Sequence, residues 1–342
     1  MHFGITGCFG GLDGLTFQDH VEFAQTAERL GYESIWLNEE HFVAEDRLCL
    51  APIPLASYLA GRTESLRLGF SVIQLPVHDP LRLAEDIATL DVLSGGRVDF
   101  GVSRSGNDRY HRGFGIPREE RTERFNEALG FIQKYWTANS PIDHHGRFYH
   151  YENVVSSPKP IQRPHPPIYI GARQPESVRR VAEGGHRLIG GVIQTLSYTV
   201  EDITTFREAA RETQRALVPE DITIGRFVFL AETDARAREE AKPVIAGLAE
   251  NFRRGGLLQT GYVVNSDQLD LETFQREIAI VGSPETCAVQ IEQLARSLGF
   301  GRFNCGFGFS GIAQPEQVQR SFRLFGEQVI AGFGRGERDP VG

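Results

Sequence analysis

A chain of 342 residues, 40% apolar and 24% charged, has room for one large α/β domain or two small ones. Its net charge of −9 argues against nucleic acid or an anionic membrane as a partner. The four cysteines, Cys8, Cys49, Cys287 and Cys305, are too scattered for a disulfide framework or a zinc site, and no metal is expected. Met1–Gly10 lacks a basic n-region and no apolar run reaches a transmembrane length, so the expected setting is the cytoplasm. Phe3–Thr6 reads as a first strand and Gly7–Gly14 as a glycine-rich turn. Thr16 and Asp19 form a capping-box-like start to a helix that Gly31 ends. Ser34–Leu37 is a second strand, and an Ala/Leu-rich helix follows Pro52 and Pro54. Leu66–Leu75 reads as a third strand, Pro80–Leu93 as a helix, and Arg97–Val102 as a fourth strand before a polar loop, Ser103–Arg112.

Arg118–Trp136 is a long amphipathic helix carrying Phe125, Leu129, Ile132 and Trp136. Asn139–Pro166 breaks the rhythm and reads as an irregular excursion with room for a small hairpin. Ile168–Ile170 is the fifth strand, with Pro175 at the first position of the helix after it. His186–Val192 is the sixth strand, and Thr199 with Asp202 reads as the cap of its helix. Ile222–Leu230 is the seventh strand, followed by a charged helix from Thr233 and a polar break at Gly255–Phe274. Ser283 opens the next helix, Arg302–Phe307 is the last strand, and Pro315–Ile330 closes the chain.

Eight short apolar strands alternating with helices predict a (β/α)8 TIM barrel, with a doubly wound sheet as runner-up. No G-x-G-x-x-G follows the first strand, which disfavours the runner-up. The expected organisation is a single domain over residues 1–330, with insertions near 138–166 and 252–278 and a flexible tail, 331–342. A barrel places its active site where strands end. Polar residues crowd the ends of strands two, four and five.

Asn38-Glu39-Glu40-His41 sets two carboxylates and an imidazole on one loop. Such a group suits polarising a substrate, holding a flavin ring or moving a proton, against the plainer reading of a solvated acidic turn. Gly171, Ala172, Arg173 and Gln174 meet the free N–H groups of a helix start, which suits a phosphate. The alternative is an ordinary turn with a solvated arginine. Arg104, expected to face Arg173, would give two forks for one phosphate, with Ser177 adding a hydroxyl. An ion pair of Arg104 with Asp99, Asp108 or a nearby glutamate is the competing reading. His78, His111 and His186 read as structural, and His144 and His145 as surface residues.

The order and spacing of Met1–Gly4, Leu30–Phe42, Leu66–Asp86, Leu93–Arg104, Phe114-Gly115, Pro166–Gly185 and Gly282–Gly301 resemble the bacterial luciferase-like flavin monooxygenase family over nearly the full length. The resemblance implies a two-component enzyme. It would take FMN, as FMNH2, from a separate flavin reductase, and insert one atom of O2 into a small organic substrate through a flavin C4a-(hydro)peroxide. It also implies a homodimer. Glu39 matches a family glutamate beside the flavin, and Ser71 and Val72 fall where the family has a non-proline cis peptide under the ring. Ser103 matches a position beside the flavin, and Arg104 the family's phosphate-binding arginine. Arg173, Gln174 and Ser177 fall on the phosphate-binding turn, with Gly171 and Ala172 before them. Glu40 occupies the place of the histidine held to be the luciferase base, and His41 matches the second histidine, so Glu40 and His41 are the candidate catalytic pair. Gly255–Phe274 matches the family's mobile lid. Two alternatives stay open: an F420-dependent hydride-transfer oxidoreductase of the same superfamily, and a non-catalytic flavin-binding protein.

Overall fold

The computed structural model describes residues 1–7, 17–42, 51–255 and 271–333. The first part of the chain runs β1 (His2–Thr6), α1 (Phe17–Arg29), β2 (Ser34–Leu37), α2 (Pro52–Ala60), β3 (Arg67–Phe70), β4 (Ile73–Gln74), α3 (Pro80–Ser94) and β5 (Val98–Ser103). There follow α4 (Asp108–Gly113), α5 (Arg121–Thr137), the pair β6 (Ile142–His145) and β7 (His150–Val154), then β8 (Ile168–Ile170), α6 (Pro175–Glu183) and β9 (Arg187–Ile189). The last part contains α7 (Leu196–Glu212), β10 (Ile222–Leu230), α8 (Asp234–Gly255), α9 (Leu271–Glu277), β11 (Ala279–Gly282), α10 (Pro284–Leu298), β12 (Arg302–Gly306), α11 (Pro315–Leu324) and α12 (Ala331–Phe333). Cys8, Cys49, Thr16, most of the turn after β1, residues 256–270 of the expected lid and 334–342 of the tail lie outside the described residues.

The strands β1, β2, β3, β5, β8, β9, β10 and β12 pair in that order, and β12 pairs back to β1, which closes a parallel ring of eight. Closure excludes the doubly wound sheet. All nine residues of β10 are buried, as expected where helices cover one face of a strand and the barrel interior the other. Helix ends follow local chemistry. Asp79 caps α3 by accepting from the Arg82 N–H at 2.9 Å, Pro80 takes the first position, and Gly95 ends the helix at φ +69°.

Inside the barrel Trp36, Tyr169 and Ile189 pack together against Val72. Gly69 admits the Trp36 indole: a Cβ there would lie 2.5 Å from the ring. Towards the strands' N-terminal ends, Arg67 grips the fully buried Asp99 through two hydrogen bonds of 2.9 and 2.6 Å.

Five expectations need correction. The third strand is two pieces, β3 and β4, with a cis Ser71–Val72 peptide bond between them. The loop after β5 contains α4, capped by Asn107. Helix α7 begins one turn earlier than expected: Thr195 caps it, while the Thr199 hydroxyl donates back to the Thr195 carbonyl at 2.8 Å. Strand β11, absent from the sequence expectation, pairs with the far half of β10. The closing helix widens into a π-helical stretch over Phe325–Ile330 and continues into α12. The excursion does carry a hairpin, β6 against β7. Among the described residues no helix is long and apolar enough to cross a membrane.

Candidate active site at the mouth of the barrel

The strands' C-terminal ends surround a cavity of about 410 Å³, within the range of roughly 300–1,000 Å³ common to small-molecule and cofactor sites. Among the residues predicted for the site, Glu40, Ser71, Val72, Ser103, Gly171, Ala172 and Arg173 line it. A second cavity of about 210 Å³ opens between α5 and α6, and Arg104 and Ser177 line that one. Gly171 and Ala172 belong to both walls. The two cavities therefore adjoin at one turn.

Arg104 and Arg173, expected to face each other, line the walls of these two different cavities. Arg173 lines the mouth, while Arg104 lines the side cavity and donates to Thr122 Oγ1 of α5 at 3.3 Å. Of the ion-pair partners considered for Arg104, Asp99 is engaged by Arg67 and Asp108 by Arg118 at 2.7 Å. Gln174 is the N-cap residue of α6 without a side-chain cap bond, and Ser177 stands in the first turn. The positive end of that helix, with Arg104 and Arg180, gives the side cavity an anion-attracting character.

Behind the mouth, hydroxyls and amides are linked. The Ser71 hydroxyl donates to Asn38 Oδ1 at 2.9 Å and lies 3.0 Å from Thr6 Oγ1. Ser103 Oγ donates to Gln74 Oε1 at 3.4 Å and accepts from the Ser105 N–H. These bonds tie the strand ends around the cis peptide to their neighbours.

Glu39, expected beside the flavin, sits behind the mouth, 5% exposed. Its carboxylate accepts from the Gln74 N–H at 2.5 Å and from His78 Nε2 at 2.7 Å, and lies 3.6 Å from His41 Nε2. Burial alone would push this carboxyl up. The contacts with His41 and His78, the His78 charge and the Gln74 N–H outweigh burial and hold it down to about 2. His41 is set edge-on against Tyr110 and Phe114, at ring distances of 5.2 and 4.8 Å. Of the expected catalytic pair, then, Glu40 lines the mouth, whereas His41 stands in an aromatic cage next to Glu39.

Two functional-looking residues escape a reading of the sequence. His78 partners Glu39. Asp202, 8% exposed on α7, accepts from the amide of Gln194, and Gln194 lines the mouth. Burial pushes the Asp202 carboxyl up to about 6, with Glu201 adding to the rise and Gln194 and Arg173 opposing it. A signal for Asp202 does exist: with Thr199, Ile203 and Phe206 it falls on the apolar face of α7, where a carboxylate needs a partner. Among the expected surface histidines, His144 instead pairs with Glu127 at 3.1 Å.

The sequence model of the luciferase-like monooxygenases matches residues 2–313. The chain belongs to that family. It is 27% identical over 229 residues to the oxygenase component of a flavin-dependent trigonelline monooxygenase of Acinetobacter baylyi, a match covering 66% of this chain and 62% of that protein. It is 24% identical over 330 residues to an alkanal monooxygenase alpha chain of Photorhabdus luminescens, covering 91% and 90% of the two chains. Among solved structures it resembles the monooxygenase RslO1 of Streptomyces bottropensis, with a TM-score of 0.83, 25% identity, and coverage of 97% and 100%. In this luciferase-like chain the mouth is walled by Gly190, Gly191, Gly306 and Gly308. A Cβ on Gly190 or Gly306 would come within 3.0 or 3.1 Å of neighbouring side chains. These glycines keep side chains off part of the wall and leave room for a ring among hydroxyl, amide and apolar groups, so the residues present fit a flavin.

Proposed function

We propose that the chain is the oxygenase component of a two-component flavin monooxygenase that takes reduced FMN from a separate reductase and oxygenates a small organic substrate. The observation that carries the reading is the pair of adjoining cavities: an anion-attracting one at the start of α6 and a glycine-walled mouth, joined at Gly171-Ala172. That pair matches a phosphate tail and a ring on one short linker. Arg104, Ser177 and the helix start would hold the phosphate. The cis Ser71–Val72 segment, Ser103 and the glycine walls would seat the ring, and Arg173 would meet its polar edge. Reduced flavin supplies the two electrons for O2 activation, one oxygen atom entering the substrate and the other leaving as water.

The chain's own residues then divide the work. Glu40, with its carboxylate on the mouth, holds or moves a proton at the bound substrate. His41 and Glu39, set behind it, fix the loop that presents Glu40. Light emission from a long-chain aldehyde is not expected, since a carboxylate stands where luciferases carry a histidine. A homodimer, implied by the family resemblance, belongs to the same proposal and is read from the solution mass.

The test is to bind FMNH2 anaerobically, mix with O2 and follow absorbance. A long-lived species that is neither reduced nor oxidised flavin, decaying faster with substrate, supports the reading. Immediate oxidation as in free solution, together with tight F420 binding, overturns it in favour of hydride transfer. Arg104→Ala should weaken FMN at least about ten-fold while leaving riboflavin affinity unchanged, the loss of a charge-assisted contact to phosphate. Equal losses for both flavins would remove the phosphate assignment.

A further inference from the structure

Gln194 follows β9 at the mouth with both backbone groups engaged: its N–H donates to the Gly191 carbonyl at 3.3 Å, and its carbonyl lies 3.5 Å from Arg226 Nη1. The residue is 8% exposed. One side of it lines the mouth, and the other lines a small void shared with Asp202 and Thr199. Its Nε2 donates to Asp202 Oδ2. An ionised carboxylate only accepts, so the amide has one orientation available: Nε2 inward, Oε1 outward. Among the described residues no hydrogen bond ends on Oε1. Gly190 makes the space beside it, since a Cβ there would lie 3.0 Å from Oε1.

We propose that Gln194 is the acceptor that reads the flavin ring through its imide N–H, and that Asp202 is the positioning residue that keeps the acceptor face turned to the mouth. This rests on the flavin reading above and adds to it the edge of the ring that is recognised. The oxidised ring carries a single N–H, the imide; its other polar ring atoms are acceptors. A fixed acceptor therefore meets the imide edge of the oxidised ring and no other, and the imide N–H is kept when the ring is reduced. An amide free to turn over would offer Nε2 as readily and lose that selection. Asp202 removes the choice.

Among the described residues, the charged groups acting on Asp202 are Glu201 on its own helix and Arg173 from the turn after β8, with Arg226 from β10 reaching the neighbouring Thr199 of α7 at 3.3 Å. With the carboxyl titrating at about 6, acidification turns Asp202 into a donor able to take Oε1 for itself.

The experiment compares the affinities of FMN and 3-methyl-FMN, which differ at the imide N–H, by fluorescence titration of the oxidised flavins. The wild-type chain should prefer FMN by about ten-fold or more at pH 8. Gln194→Met, of similar length but without the amide oxygen and with only a weak thioether acceptor, should reduce that preference to within about two-fold. Asp202→Asn should lower it as well, because the new amide can itself donate to Oε1 and let the Gln194 side chain turn over. Below pH 6 the wild-type preference should shrink, whereas that of Asp202→Asn should stay flat; the phosphate's own titration cancels in the ratio. A wild-type chain that binds neither flavin here and also fails to bind FMNH2 anaerobically overturns the flavin reading. One that binds both equally, or a Gln194→Met variant that keeps the wild-type preference, overturns the imide assignment alone. Should Gln194→Met fail to give a cooperative melt, Asp202→Asn decides: an unaltered preference with no pH trend in the wild type refutes the proposal.

Discussion

Replacing Glu39 by glutamine keeps the side chain's shape and removes its charge. The wild-type carboxylate is almost fully buried and accepts from the Gln74 N–H and from His78, with His41 3.6 Å away. These contacts hold its pKa at about 2 against an ordinary 4.5, despite the burial. A shift of that size corresponds to about 3 kcal/mol in favour of the ionised form. Because the folded pKa is the lower one, the stabilisation is complete above pH 4.5 and is lost as pH falls through about 2. Glu39→Gln should therefore unfold about 3 kcal/mol more easily at pH 7, or roughly 4 °C lower for a chain of this length. Thermal melts followed by circular dichroism, with urea titrations, measure the difference at pH 7 and in steps down to pH 3. The gap should be present at pH 7 and narrow as pH falls below about 4.5. An unchanged melting temperature at pH 7, or a gap that widens in acid, would refute the reasoning.

Asp202 carries the opposite linkage. Its folded pKa of about 6 lies above the ordinary 3.8, so the fold loses stability as pH rises between those values, by up to about 3 kcal/mol. Plotted against pH, the unfolding free energy of Asp202→Asn minus that of the wild type should climb across pH 4–6 and flatten above 7; a difference that stays level throughout would show that Asp202 is not held protonated by burial. Gly101→Ala should give little soluble protein, because a Cβ on Gly101 would lie 1.7 Å from the Phe70 carbonyl oxygen, and backbone rather than a side-chain tip would have to move. A variant with a wild-type melt would mean that β3 and β5 can separate at this point.

The barrel was legible because its strands are buried on both faces and read as continuous apolar runs. Isolated polar residues interrupt the runs, Asp99 in β5, Arg226 in β10 and Asn304 in β12, and proline and glycine punctuation sets off even the three-residue β8 and β9. Strand β11 was not legible, since its short run, Ala279–Gly282, lies between a polar break and the obvious start of α10. The cap of α7 was misplaced because Thr195 and Thr199 lie one turn apart and each has a hydroxyl that bonds locally; only the backbone shows which one stands outside the helix. At the site, residue types were legible and directions were not. Successive residues on an extended segment point to opposite sides, so Asn38 and Glu40 reach the mouth and Glu39 between them cannot. No count of carboxylates in the sequence distinguishes these two.

Alternation also governs how the site is held. Of the described residues lining the mouth, Glu40 and Arg173 are the charged ones, and the rest are glycines, amides, hydroxyls and apolar groups. The buried charges stand one layer back and each secures a neutral group in front. Glu39 binds the Gln74 N–H, and through Gln74 touches Ser103; Asp202 binds the Gln194 amide; Arg226 reaches the Gln194 carbonyl. A buried charge is costly to leave unpaired, so it fixes its partner more firmly than a neutral group would. The neutral dipoles in front are thereby set before any ligand arrives, and need no rearrangement when it binds. Removing a charge from the rear layer should accordingly alter ligand affinity and orientation preference without any lost contact to the ligand. Changing Ser71 or Ser103 would act on the front layer itself, releasing the Asn38 or Gln74 amide that its hydroxyl holds.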